Sequence, residues 1–81
     1  MAATVTLLYF ASLRERAGVA SESVATAAAD LAALYAEVQA RHGIAWPREH
    51  LRVAVDGEFA RWSDAPADGS EVAFIPPVSG G

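Results

Sequence analysis

Asp30-Leu31-Ala32-Ala33-Leu34-Tyr35-Ala36-Glu37-Val38-Gln39-Ala40-Arg41-His42-Gly43 is the stretch that sets the fold class. Leu31, Leu34, Tyr35 and Val38 recur at i, i+3, i+4 and i+7, one stripe of an α-helix. Alanine, the strongest helix former, fills much of the rest. Asp30 is the better N-cap candidate, with Thr26 as an earlier alternative. Arg41 and His42 suit the negative C-terminal end, and Gly43 supplies a left-handed stop. The other long patterned segments on either side read as strands, so the chain has one main helix among them.

Upstream, Thr4-Val5-Thr6-Leu7-Leu8-Tyr9-Phe10 is β-branched and aromatic. Val5, Leu7 and Tyr9 share one face, and Thr6, Leu8 and Phe10 share the other. Both faces turn apolar toward the end, which predicts a central strand. Ser12-Leu13-Arg14-Glu15 has capping-box spacing for a short helical turn that Gly18 would stop. Glu22 to Thr26, with one strongly β-forming apolar residue, reads as an edge strand. Downstream, Ile44 to His50 is a connector containing Trp46-Pro47. Leu51 to Asp56 alternates with Leu51, Val53 and Val55 inward, Asp56-Gly57 signals a hairpin turn, and Glu58 to Trp62 is the return. After a loop from Ser63 to Ser70, Glu71 to Ile75 is the last strand, ended by Pro76-Pro77, which cannot donate to a ladder. This order predicts an α+β fold of the ubiquitin-like β-grasp type: a mixed sheet of four to five strands with the main helix on one face. Residues 1–75 form the domain and 76–81 a flexible tail.

The chain has 81 residues, ten acids against six arginines, no lysine and no cysteine, with a net charge of −4. One domain near the lower size limit for an unaided core is expected. The hydrophobic share of 53% against 20% charged argues for a packed core. No run of about 18 apolar residues is present and the N-terminus lacks a signal-like apolar stretch, so a cytoplasmic location with no membrane partner is expected. The acidic balance disfavours nucleic acid. Without cysteine there is no disulfide, thiolate nucleophile or cysteine metal site. Neither His42 nor His50 falls in a metal-ligand spacing, and none of the common catalytic motifs occurs.

What remains is the tail, Pro76-Pro77-Val78-Ser79-Gly80-Gly81. Two terminal glycines occur by chance in about 0.5% of chains at ~7% glycine usage. Extended, these residues span roughly 20 Å, and the glycines, lacking Cβ atoms, fit a channel too narrow for side chains. The functional group at the tip is the α-carboxylate of Gly81. It becomes electrophilic as an acyl-adenylate, which a sulfur nucleophile can convert to an acyl disulfide or a thiocarboxylate. That chemistry needs no side chain from the carrier.

The stretch Asp68-Gly69-Ser70-Glu71-Val72-Ala73-Phe74-Ile75-Pro76-Pro77-Val78-Ser79-Gly80-Gly81 resembles the end of the small, sulfur-carrier subunits of molybdopterin synthases. Phe10-Ala11, Leu13-Arg14-Glu15 and Gly18 resemble the family's first strand and turn, and Val55-Asp56-Gly57 its hairpin. The resemblance covers nearly the whole chain. It implies that an ATP-dependent activating enzyme adenylates Gly81 and that a sulfurtransferase system supplies sulfur. The tail would then insert into the large subunit of a heterotetrameric enzyme and donate sulfur to cyclic pyranopterin monophosphate. Catalytic side chains are expected in the large subunit, with no cofactor bound to this chain. The resemblance also gives a use to an apolar face pointing away from the helix: Leu8, Phe10, Ala54, Phe59 and Ile75 would dock partners beside the tail. Ile75 is a departure, since an aromatic residue often stands there in the family.

Alternatives are a sulfur carrier for thiamine or another metabolite, and a ubiquitin-like modifier. The thiamine carriers are shorter and usually lack the Pro-Pro-Val-Ser/Thr stretch. The absence of lysine prevents lysine-linked self-chains but does not restrict other acceptors. His42 reads as a residue neutralising the helix end, Trp46 and Trp62 as packing, and Arg14 with Glu15 as a solvated surface pair.

Overall fold

The computed structural model describes residues 2–76. The chain forms β1 (Ala3–Tyr9), α1 (Ala11–Ala17), β2 (Ser21–Thr26), α2 (Leu31–His42), a 3-10 turn (Arg48–His50), β3 (Arg52–Val55), β4 (Glu58–Ala60) and β5 (Glu71–Ile75). Among these residues the strands make one five-stranded sheet in the order β2-β1-β5-β3-β4. β1 and β5 run parallel; the remaining neighbours are antiparallel. This is the ubiquitin-like β-grasp, with β1 in the interior and β2 at an edge, as the residue pattern predicts.

The period-two pattern decides which face meets the helix. Val5, Leu7 and Tyr9 of β1, Val53 of β3, and Val72 and Phe74 of β5 are buried against Leu31, Leu34, Tyr35 and Val38 of α2. Phe74 is fully enclosed, with Tyr35 at 5.1 Å between ring centroids and Trp62 stacked parallel at 6.0 Å. Asp30 caps α2 by accepting a 2.8 Å hydrogen bond from the Ala33 N–H, and Gly43 ends the helix at a φ of 64°. Thr26, the alternative cap, instead accepts from the Ala28 N–H and donates to Glu37.

Three expectations need correction. The Ser12–Glu15 capping box does not form: the helix begins two residues too early for it, with Phe10 as N-cap and no side-chain cap bond. The Phe10 carbonyl accepts from Leu13 and Arg14, and buried Leu13 anchors the turn. β4 ends at Ala60 rather than Trp62, because Trp62 turns under the sheet to stack on Phe74 and its carbonyl accepts from Ala32. β1 ends at Tyr9 rather than Phe10, because Ala11 breaks the strand direction at a φ of 50°. The Asp56-Gly57 turn forms as expected, with both residues at positive φ, 51° and 84°, which the twist of a two-residue hairpin requires.

Candidate functional site

The face of the sheet opposite α2 is built from one cross-strand row. Leu8 pairs with Ala73, Ala73 with Ala54, and Ala54 with Phe59, so four strands place these side chains at one level. Alternation sends them away from the core, because their neighbours Leu7, Val72, Val53 and Phe74 point into it. Ala54 and Ala73 are too short to rise above the backbone and make a floor. Phe10, Leu8, Phe59 and Ile75 stand around it, enclosing a depression of about 270 Å³. The structure thus brings together all five face residues named from the sequence.

Two of these residues are large and open to solvent: Phe10 is 46% exposed and Phe59 is 70% exposed. Aromatic groups flanking an apolar hollow have the form of anchors for a protein partner, since their burial on contact removes much apolar surface from water. Phe59 is not loose. The Arg52 guanidinium lies 5.6 Å from its ring centroid, a cation–π contact that holds it at the rim.

The root of the tail adjoins this depression. β5 pairs Ile75 with Arg52 and passes the chain to Pro76. Pro76 is buried, and a second hollow of about 340 Å³ runs past it, lined by His50, Arg52, Phe59 and Ile75 among others. Of the tail residues named from the sequence, Pro76 alone is described. Pro77, Val78, Ser79, Gly80 and Gly81 lie outside the described residues.

Sequence reasoning missed a partly buried polar cluster on the other side of the sheet. The Tyr9 hydroxyl donates to Glu22 Oε2 at 2.5 Å, and His42 Nε2 lies 2.6 Å from the same oxygen. Arg41 stands 3.7 Å from Glu22 Oε1, and the Tyr9 and His42 rings meet edge to face at 5.6 Å. Burial pushes the Glu22 carboxyl up, but the bonds from Tyr9 and His42 and the charges of His42 and Arg41 outweigh it, holding the group below its ordinary value. Burial is likewise the main cause that raises the Tyr9 phenol, with Glu22 adding to it. The cluster ties β1, β2 and the end of α2 together. The available signal was Tyr9 on a core face, where a hydroxyl needs a partner, with Glu22 at the start of an edge strand. Trp46 and Trp62 pack as expected, and the Trp46 carbonyl accepts from Tyr35 and Gln39. Arg14 and Glu15 are exposed.

A model of the ThiS family matches residues 7–81. The human molybdopterin synthase sulfur carrier subunit is 38% identical over 82 residues, covering 95% of this chain and 93% of that protein. Among solved structures, small archaeal modifier protein 1 of Haloferax volcanii has a TM-score of 0.78 at 29% identity, covering 96% of this chain and 99% of that one. A complex of subunits 1 and 2 of the molybdopterin-converting factor of Helicobacter pylori has a chain matching at a TM-score of 0.64 and 24% identity. It covers 96% of this chain and 99% of its own, and at that identity it speaks to the fold alone. No described helix is long and apolar enough to cross a membrane.

Proposed function

The chain belongs to the ThiS family and is a homologue of the molybdopterin synthase sulfur carrier subunit, and we propose that it carries sulfur on the α-carboxylate of Gly81. The observation that carries this reading is the 38% identity to the human carrier across 95% of the chain. The apolar depression at the root of the tail supports it, because a carrier needs a docking face and an arm rather than a catalytic pocket.

In this reading the Gly81 carboxylate attacks the α-phosphorus of ATP on an activating enzyme and pyrophosphate leaves. A persulfide from a sulfurtransferase attacks the acyl carbon and AMP leaves, forming an acyl disulfide. A thiol then cleaves its S–S bond, leaving the Gly81 thiocarboxylate and a disulfide on the donor side. The large subunit of molybdopterin synthase takes the tail, and the thiocarboxylate sulfur displaces an oxygen substituent on the pyranopterin precursor; water then hydrolyses the resulting thioester, leaving sulfur on the product and restoring the Gly81 carboxylate. Leu8, Phe10, Ala54, Phe59 and Ile75 dock that subunit, and Pro76, Pro77, Val78, Ser79 and Gly80 lead Gly81 into it.

The test is intact mass. The chain is incubated with activating enzyme, ATP and a sulfur donor, with a Gly81 deletion as control. An oxygen-to-sulfur mass increment in the full chain alone is expected, and its absence would defeat the reading. Adding large subunit and pterin precursor then separates molybdopterin from a thiamine-type product. A second reading, a ubiquitin-like modifier, is favoured by the 29% identity to a small archaeal modifier protein. It predicts Gly81 joined to lysines of other proteins, visible as isopeptide remnants after digestion.

A further inference from the structure

The charges of this acidic chain are sorted along the strand direction. Arg14 and Arg16 lie in α1, directly after β1, and Arg41 and His42 lie in the last turn of α2. Arg48 and His50 lie in the 3-10 turn that leads into β3, and Arg52 pairs with Ile75. Five of the six arginines therefore stand at the end where β5 hands the chain to the tail, together with Glu15, Glu22 and Glu49. The opposite end holds Asp56 and Glu58 at the hairpin turn and Asp68 and Glu71 at the start of β5. Glu37 joins them through Thr26 of β2, whose strand partner Ala3 is the first residue of β1. The molecule is a dipole whose positive end is the root of the tail.

The arginines at that end are not equivalent. Arg41 is engaged with Glu22, and Arg16 donates to the Gly43 carbonyl at 3.0 Å. Arg48 and Arg52 are exposed and, among the described residues, in no ion pair. Arg48 faces the Trp62 ring at 6.0 Å, and Arg52 lies over Phe59, itself a wall of the apolar depression. Each guanidinium is held by an aromatic ring, which leaves its N–H edge free for a carboxylate. Arg52 thus borders the apolar depression at Phe59, while Arg48 stands nearby on the helix side of the sheet, over Trp62.

Resting on the docking role proposed above, we propose that the large subunit carries an acidic rim around the mouth that takes the tail, read by Arg48 and Arg52. A polyanion such as RNA fits less well. It would meet the interleaved Glu15, Glu22 and Glu49, and it would leave the adjoining apolar depression unused. A protein edge with carboxylates beside an apolar anchor uses both. The dipole then presents the tail-root end to the partner during encounter, and Arg52 keeps Phe59 in register on contact.

The experiment is stopped-flow association of the full chain with purified large subunit, from about 0.02 M to about 0.5 M NaCl. The association rate is expected to fall by about tenfold or more with salt, as for steered pairs of opposite charge. Arg48→Glu/Arg52→Glu should lower the low-salt rate by about tenfold and remove most of its salt dependence. Arg48→Gln/Arg52→Gln should lie between it and the wild type, and circular dichroism checks that each variant is folded. A wild-type rate indifferent to salt, or a double reversal that associates as fast as the wild type, overturns the acidic rim. If Phe10→Asp weakens binding by tenfold or more in that case, the docking face stands without it. Binding of a short single-stranded RNA as tight as that of the large subunit would also overturn it. Failure of the large subunit to bind the wild type under any condition removes the docking role and this inference together.

Discussion

Glu22 takes contacts from Tyr9, His42 and Arg41 at once, so one carboxylate joins two strands to the end of a helix. Its pKa is held below the ordinary value of 4.5, so it contributes stability that is present above that pH. This stability is lost as the pH falls through the depressed folded-state value. Urea midpoints of the wild type and Glu22→Gln should therefore differ at neutral pH and converge as the solution is acidified through that depressed value. A gap that stays constant with pH would show that the charge is not what stabilises. On the apolar face proposed for docking, Phe10 is an N-cap residue with an exposed ring and no role in the core. Phe10→Asp should leave the far-ultraviolet spectrum unchanged and weaken binding to the large subunit by tenfold or more, about 1.4 kcal/mol. Titration calorimetry measures this, and unchanged affinity would remove the face from the interface. Phe10 was nameable in advance because strand alternation sends it away from Tyr9. The Glu22 cluster was not, because residues 9, 22 and 42 meet only when the β1–β2 hairpin closes over α2.

At the scale of elements, α2 was the most legible part, since its cap, its stripe and its stop all agree. The Asp30 carboxylate satisfies the Ala33 N–H, and the neighbouring Leu31 and Ala32 amides donate to Asp64 and Trp62 carbonyls. Asp30→Ala removes only the first of these and should cost about 1 kcal/mol. That lowers the melting temperature by roughly 4–8 °C in a domain of this size, readable by thermal circular dichroism. A loss above about 3 kcal/mol would mean that the substitution also detaches the loop from the helix end. α1 was less legible. Its S-x-x-E spacing is a local signal, but the helix starts where β1 is forced to turn, and burial of Leu13 sets the phase. Trp62 ended β4 early for a similar reason. A large ring gains more by stacking on Phe74 beneath the sheet than by prolonging a short edge strand.

For the whole molecule, one apolar layer between sheet and helix holds everything together, and Phe74 lies at its centre with no exposed surface. Phe74→Ala should cost about 3–5 kcal/mol. A domain of this length has a total stability of about 4–12 kcal/mol, so much of it is at stake. Chemical denaturation should show a midpoint shifted far down or a chain already unfolded; a loss under about 1 kcal/mol would show that the layer repacks around the cavity. The residues by themselves determined the element types, the helix-facing stripe and the opposite apolar face. Those depend on periodicities of 3.6 and 2, which are local properties of the backbone. The Gly-Gly ending and its family pattern were likewise readable directly. The return of β5 beside β1 was implied by the β-grasp order, but only the tertiary structure decided the register that lines up Leu8, Ala73, Ala54 and Phe59 as a floor with walls. It also gathered arginines from α1, α2, the 3-10 turn and β3 at the root of the tail. The reason is distance along the chain: residues tens of positions apart become neighbours through register and chain crossing, and no local periodicity encodes either.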